Sequence, residues 1–339
     1  MTQRWKNRPD GSNWGDFGPD DQVGRMNLIT PEARLRGARE IKEGLSFCLS
    51  LPLDYPGGNT LFPYRRGPVF HHEKRGDGHN FNYKMSDLSP CYCDVVSDDA
   101  VTLYTQYSTQ WDALAHVGQM FDADGDGTPE KVYYNGYRAG IDIIGPDDQD
   151  DAPGAQALGI ENLAVAGVQG RGVMADMEKH WGRNRHLVGY DDLMRVLDAQ
   201  KAEVESGDFL CLYTGFADLL LSMNKKPDGD VLARSCAVLD GRDDKLLDWI
   251  TESGIVAICA DNFAVEAYPA RPTDAETHPA LPLHNLCLFK QGIHLGELWY
   301  YAELAAFLRK ANRSSFFLTA PPLRLPGSVG SPLTPIATV

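Results

Sequence analysis

The densest run of residues that could do chemistry is Gln106-Tyr107-Ser108-Thr109-Gln110-Trp111-Asp112-Ala113-Leu114-Ala115-His116. In an extended segment alternate side chains share a face, so Gln106, Ser108, Gln110 and Asp112 would line one wall. His116 lies four residues beyond Asp112, where a turn could return it to that wall. A carboxylate, two amides and an imidazole can together bind a cation or a polar substrate, and the imidazole can move protons. Trp111 could wall a substrate pocket or belong to the core. On spacing alone, the same residues also fit a polar strand end with one hydrogen-bonded histidine.

Other motifs carry less. Asp122, Asp124, Asp126 and Gly127 copy the first half of a calcium-binding loop, but Tyr133 stands where the bidentate glutamate should be. An acidic, glycine-rich surface turn is the competing reading. The adjacent His71 and His72 would point apart in a strand, which fits exposed loop residues. Gly170-Arg171-Gly172 is too short for a dinucleotide fingerprint, and neither a G-x-S-x-G elbow nor an H-E-x-x-H helix is present. Asp261 and Glu266 follow a buried strand end and could support site residues from behind.

The elements that must position this run can be read from periodicity. A helix is predicted from Pro31, capped by Thr30 and ended near Gly44. Strands are predicted at 45–53, 101–107, 172–176, 209–214, 255–260 and 315–319, and helices at 190–205, 243–252, 281–290 and 298–310. Residues 54–90 read as a long ordered loop, and 122–130 and 145–157 as acidic loops. Interspersed strands and helices, without a composition break, imply one layered α/β domain over residues 1–339.

Composition limits the function classes. The 339 residues carry 47 acidic against 32 basic side chains, a formal charge of -15. That excess argues against nucleic acid and against an anionic membrane surface as partner. No apolar run is long enough for a spanning helix, and the polar start shows no signal peptide, so a cytoplasmic location is expected. Cys48, Cys211, Cys259 and Cys287 sit among apolar neighbours and read as buried, reduced thiols. Cys91 and Cys93 have no second pair to complete a zinc site and read as strand or loop residues.

The run from Gln106 to His116 resembles the signature of the cyclase family, which contains bacterial kynurenine formamidase and isatin hydrolase and usually reads H-x-G-T-H-x-D-x-P-x-H. Thr109, Asp112 and His116 agree with that form. Gln106 and Gln110 replace two histidines, Ser108 replaces glycine and Leu114 replaces proline. The T-Q-W-D variant is similar to a longer-chain branch of the family. So are the Asn13-Trp14-Gly15-Asp16 stretch, Gly170-Arg171-Gly172-Val173, Leu212-Tyr213-Thr214-Gly215, Leu283-His284-Asn285, Gly292 to Leu298 and Gly330-Ser331-Pro332.

The resemblance implies mixed β-sheets with flanking helices, assembly as a homodimer or tetramer, and hydrolysis of a cyclic or N-acyl amide or a lactone on a small, aromatic substrate. It implies a divalent metal, manganese or zinc, held by Asp112, His284 and Glu297, with His294 a lower-ranked rival to His284. His116 would be the proton shuttle, Gln106 and Gln110 would assist catalysis, and Thr109 and Trp111 would contact substrate. Glutamine oxygens in place of imidazoles favour manganese or magnesium over zinc, and a metal-free site is equally compatible with the residues. Two other readings stay open: a metal-free cyclase or lyase using an Asp112–His116 dyad, and a non-catalytic binding protein that kept only the fold.

Overall fold

The computed structural model describes residues 3–148 and 153–339. Its centre is a nine-stranded mixed sheet. In chain order the strands are β1 (Ser46–Cys48), β2 (Gln110–Asp112), β3 (Gln169–Asp176), β4 (Phe209–Tyr213), β5 (Ala257–Ala260), β6 (His294–Glu297), β7 (Ser315–Thr319), β8 (Gly330–Pro332) and β9 (Ile336–Thr338). Their spatial order is β1-β9-β7-β3-β4-β5-β6-β2-β8. Four strands, β3 to β6, run parallel at the centre, and β2 and β7 join their two flanks antiparallel. This is the mixed sheet with flanking helices that the family resemblance implies.

The central strands are buried on both faces, so they read as unbroken apolar runs such as Phe209-Leu210-Cys211-Leu212-Tyr213. Alternation divides them between two cores. Leu210, Leu212, Ile258, Ala260 and Leu295 face one core, under helices α2 (Tyr190–Gln200) and α3 (Asp244–Glu252). Phe209, Cys211, Tyr213, Ala257 and Cys259 face the other, which includes apolar residues of α4 (Ala302–Ala311). Trp111 belongs to this second core. It is fully buried, lies edge-on to Trp299 at 5.1 Å, and donates its indole N–H to the Ala320 carbonyl.

Several boundaries differ from the sequence reading. The first helix, Pro31–Ala38, is capped by Thr30 as predicted but stops before Gly44, because the N–H groups of Glu43 and Gly44 bond to the Val339 carbonyl. The helix from Tyr190 ends at Gln200, where Lys201 turns left-handed and the Ala202 N–H caps the Leu197 carbonyl. The helix predicted from Leu298 starts at Ala302, since the N–H groups of Leu298, Trp299 and Tyr300 are claimed by Asn262, Ala260 and Leu49. The strand predicted at 101–107 is Ala100–Thr102, paired with Val69–His71 outside the main sheet. Strands β6, β8 and β9 had no prediction.

The 54–90 segment is built of bends and two-residue ladders, and much of it is exposed. The loop predicted at 145–157 lies partly outside the described residues. Cys211, Cys259 and Cys287 are buried thiols as expected, but Cys48 is exposed near the sheet edge. No described helix is long and apolar enough to cross a membrane.

Trp111→Ala should leave a cavity between the strand and Trp299 and lower stability by about 3–5 kcal/mol, measured by denaturant unfolding.

Candidate functional site

Strand β2 is held on both sides, with Gln110 opposite Glu297 of β6 and Pro332 of β8, and Asp112 opposite Leu295 and Gly330. Gln110, Asp112 and Glu297 therefore project from one face, and Trp111 from the other. The two termini of this short strand thus place a carboxylate and an amide beside a second carboxylate that arrives 185 residues later in the chain, a count taken from Asp112 to Glu297.

His284 closes the group. It ends a single α-turn, Pro282–His284, that continues as a wider π-helical segment, Asn285–Lys290. Glu266 fixes that turn. Its carboxylate accepts the backbone N–H of Leu283 at 3.0 Å and of His284 at 2.9 Å, and also bonds the His284 Nδ1 at 2.8 Å. The first turn has free N–H groups, so an acceptor there caps it. Gly241 makes room for this contact, since a Cβ on it would collide with the Glu266 carboxylate. With Nδ1 engaged, Nε2 faces the other carboxylates, 3.2 Å from Glu297 Oε1 and 4.0 Å from Asp112 Oδ2.

Asp112, His284 and Glu297 each offer a ligand atom, and these atoms all lie within 4.8 Å of one another. All three residues are buried. Gln110 donates its amide N–H to Glu297 Oε2 at 3.2 Å, while its own oxygen has no partner. Neither oxygen of the Asp112 carboxylate has a hydrogen-bond partner. An unpaired buried carboxylate is costly, and a cation among these oxygens and the imidazole would remove that cost. The donor set fits a divalent ion: two carboxylates and one imidazole held by a carboxylate behind it.

The electrostatics agree. Burial raises the Asp112 carboxyl above its usual range; His116 opposes the rise and Glu297 adds to it. Burial pushes the same way on Glu297, but its hydrogen bond to His284 holds it below the usual range. Burial disfavours a charged His284, yet the bonds to Glu266 and Glu297 outweigh it and push the imidazole up to about 10.

His116 returns to the site through a tight turn in which its N–H bonds to the Ala113 carbonyl at 2.9 Å. Its Nε2 lies 3.7 Å from Asp112 Oδ1, and 22% of its side chain stays exposed, where a substrate can reach it. Gln106 lies outside the strand. The predicted alternation covers only Gln110 to Asp112, because residues before Gln110 leave the sheet. Ser108 donates to the Pro52 carbonyl at 3.4 Å, and Gln106 packs against Gly330, whose missing side chain makes the space. The Gln106 Nε2 is buried without a partner.

Two residues assigned to substrate lie elsewhere. Trp111 is sealed in the opposite core, as described. Thr109 is fully buried, and its hydroxyl accepts from the Leu51 N–H at 2.9 Å and donates to the Leu298 carbonyl at 2.6 Å, so it ties segments together. His294 turns to the other face of β6 and bonds the Asp112 carbonyl at 3.0 Å. Asp261 accepts N–H bonds from Thr214 and Gly215, whereas Glu266 supports His284 directly.

Asp122, Asp124 and Asp126 do gather at one point, but they accept N–H bonds from their own loop. Sequence reasoning missed Arg65. It lies in the loop at 54–66, and its charge lowers both Asp112 and Glu297. Its position inside a polar, irregular segment gave no periodic signal.

Sheet and site together define a mixed α/β fold with a buried Asp–His–Glu centre. The family model described as "Putative cyclase" matches residues 49–267, and the chain belongs to that cyclase family. A crystal structure titled as a novel cyclase is 33% identical, with 97% of each chain covered and a TM-score of 0.74. Isatin hydrolase A from Labrenzia aggregata, bound to benzyl benzoate, shares the fold at 13% identity and a TM-score of 0.54, covering 87% of this chain and 93% of its own. Isatin hydrolase A from Ralstonia solanacearum is alike at 13% identity and 0.54, covering 86% and 91%. No protein of curated function matches the chain significantly.

Glu266→Gln should weaken divalent-metal binding by about 10–100-fold in calorimetric titration, because the imidazole loses the group that orients it.

Proposed function

We propose that the protein is a hydrolase that opens a cyclic or N-acyl amide, or a lactone, of a small aromatic compound. The observation that carries this reading is the buried Asp112 carboxylate, unpartnered at both oxygens, facing His284 and Glu297 with the half-exposed His116 beside it. Asp112, Glu297 and His284 would hold a divalent ion, manganese in preference to zinc, because oxygen donors outnumber nitrogen. Such an ion, when bound, polarises a carbonyl and lowers the pKa of a water.

The chain's own residues supply the rest. His116 takes the proton from the attacking water and returns it to the departing nitrogen or oxygen. Part of its side chain is exposed, while Asp112 is buried. Gln110 is held by the hydrogen bond its amide N–H donates to Glu297. Gln106 keeps a buried, unpartnered Nε2 donor beside Gly330, the residue paired with Asp112, and would serve the oxygen on which charge develops. Isatin hydrolases share the fold, and ring-opening of a cyclic aromatic amide is the reaction this reading places first.

The metal-free dyad is less well supported. At 3.7 Å His116 and Asp112 are beyond hydrogen-bond distance, and a dyad leaves the second Asp112 oxygen unpaired.

The test is turnover of a panel of aromatic N-acyl amides, cyclic amides such as isatin, and aryl lactones, alongside metal analysis. His116→Ala should lower kcat by about 10²–10⁴-fold while the bound metal per chain is unchanged. Removal of the ion by chelator should abolish turnover, and manganese should restore it. Activity that persists with less than about one-tenth of an ion per chain would overturn the metal-supported reading.

A further inference from the structure

Arg65 is an arginine whose cation is held in place but not spent. Its Nη1 donates to the Gln106 carbonyl at 2.7 Å, and its guanidinium lies over the Phe62 ring at 4.4 Å. Among the described residues no carboxylate lies within ion-pair distance of it, and its other N–H groups have no protein acceptor. Arg171 and Arg313 are half-buried arginines paired with acids, whereas the side chains of Arg34 and Arg242, like that of Arg65, bond only backbone carbonyls. A guanidinium stacked on a ring and pinned at one nitrogen has lost most of its rotamer freedom, so its remaining fork is ready for a bidentate acceptor.

The surroundings say what that acceptor is. Asp112, Glu266 and Glu297 make the centre rich in negative charge, and an anionic ligand would be repelled unless a cation met it. Arg65 is close enough for its charge to act on Asp112 and Glu297, yet it bonds neither. It lines a narrow cleft with Gln106, Tyr107, Phe263 and Leu298. That cleft shares Leu61 and Phe263 with a cavity of about 210 Å³, whose walls include Phe216, Leu232 and Tyr268. The cavity wall combines these apolar side chains with Arg185, Asn262 and Glu266, and an aromatic-walled cavity adjoining a guanidinium with free N–H groups suits a small aromatic acid.

We propose that Arg65 anchors a carboxylate on the substrate, so that the natural substrate is a small aromatic or apolar acid anion whose apolar part fills the cavity at Leu61 and Phe263. The proposal rests on the hydrolase reading only in calling this ligand a substrate. Arg185 also lines the cavity and is the rival cation.

The experiment uses the full chain, treated with chelator so that no metal can hold the probe. Benzoate and its neutral isostere benzamide are titrated calorimetrically. Wild type should prefer benzoate by about tenfold or more, the worth of one charge-assisted bidentate contact. Arg65→Gln should erase that preference while changing benzamide affinity by no more than about twofold, and Arg185→Gln should keep it. Arg65→Met, which keeps a long side chain beside Phe62 without the charge, should behave as Arg65→Gln and decides the matter if the glutamine variant does not fold.

Equal binding of the two probes to wild type, absence of benzoate binding, or a preference that survives Arg65→Gln or is lost in Arg185→Gln would each overturn the assignment. The titrations need neither metal nor turnover, so failure of the hydrolase reading leaves them interpretable. Turnover of neutral amides by a protein with no benzoate preference would overturn the anchor and leave the hydrolase reading standing.

Discussion

The structure depends on how a cluster of like charges survives in a dry interior. Asp112, Glu266 and Glu297 are all buried within reach of one imidazole. His284 bonds both Glu266 and Glu297, and Glu266 is further satisfied by two backbone N–H groups. Asp112 feels the charges of His116, His284 and Arg65 but accepts no hydrogen bond at either oxygen. Buried charges are retained only where something compensates them, and the compensation missing at Asp112 has the sign and position of a cation. The fold therefore carries an electrostatic deficit at one point, and the hydrolase reading is a statement about what fills it.

The sheet makes that concentration of charge possible. Strand β2 has only three residues, yet it is paired on both edges, so its side-chain directions are set with little freedom. Its outward residues serve the site and its single inward residue, Trp111, locks the strand to the opposite core. Glu266 acts at a distance in the chain but at the turn that presents His284. A carboxylate on the first turn, bonded at once to backbone and ring, makes the orientation of the imidazole part of the helix end itself.

The segment at 54–66 relates to this centre differently. It is loop rather than sheet, and its contribution is chemical: Leu61 and Phe62 supply apolar surface, Arg65 a positive charge. Loops held over a rigid scaffold are where selectivity is varied without disturbing the core. A centre of buried acids fixed by β-pairing, with a loop that brings the charge of Arg65 to bear on it, would separate the reaction from the choice of ligand.

The sequence by itself determined the local facts. The apolar runs at 209–214 and 255–260, the cap at Thr30 and the clustering of Gln110, Asp112 and His116 follow from periodicity and residue type, and the family was legible from motifs spread over most of the chain. Tertiary structure decided what depends on distant partners. The short strands β6, β8 and β9 become strands only because neighbours accept their hydrogen bonds, and the predicted start of a helix at Leu298 yields to carbonyls from three other segments. Thr109 and Trp111, adjacent to the site in sequence, are turned away by the two-residue alternation and by partners unknowable from the chain. Glu266 was legible as a supporting group but its pairing with His284 was not, and Arg65 joins the site because a loop folds towards it; no local pattern encodes a contact whose two halves lie tens to hundreds of residues apart.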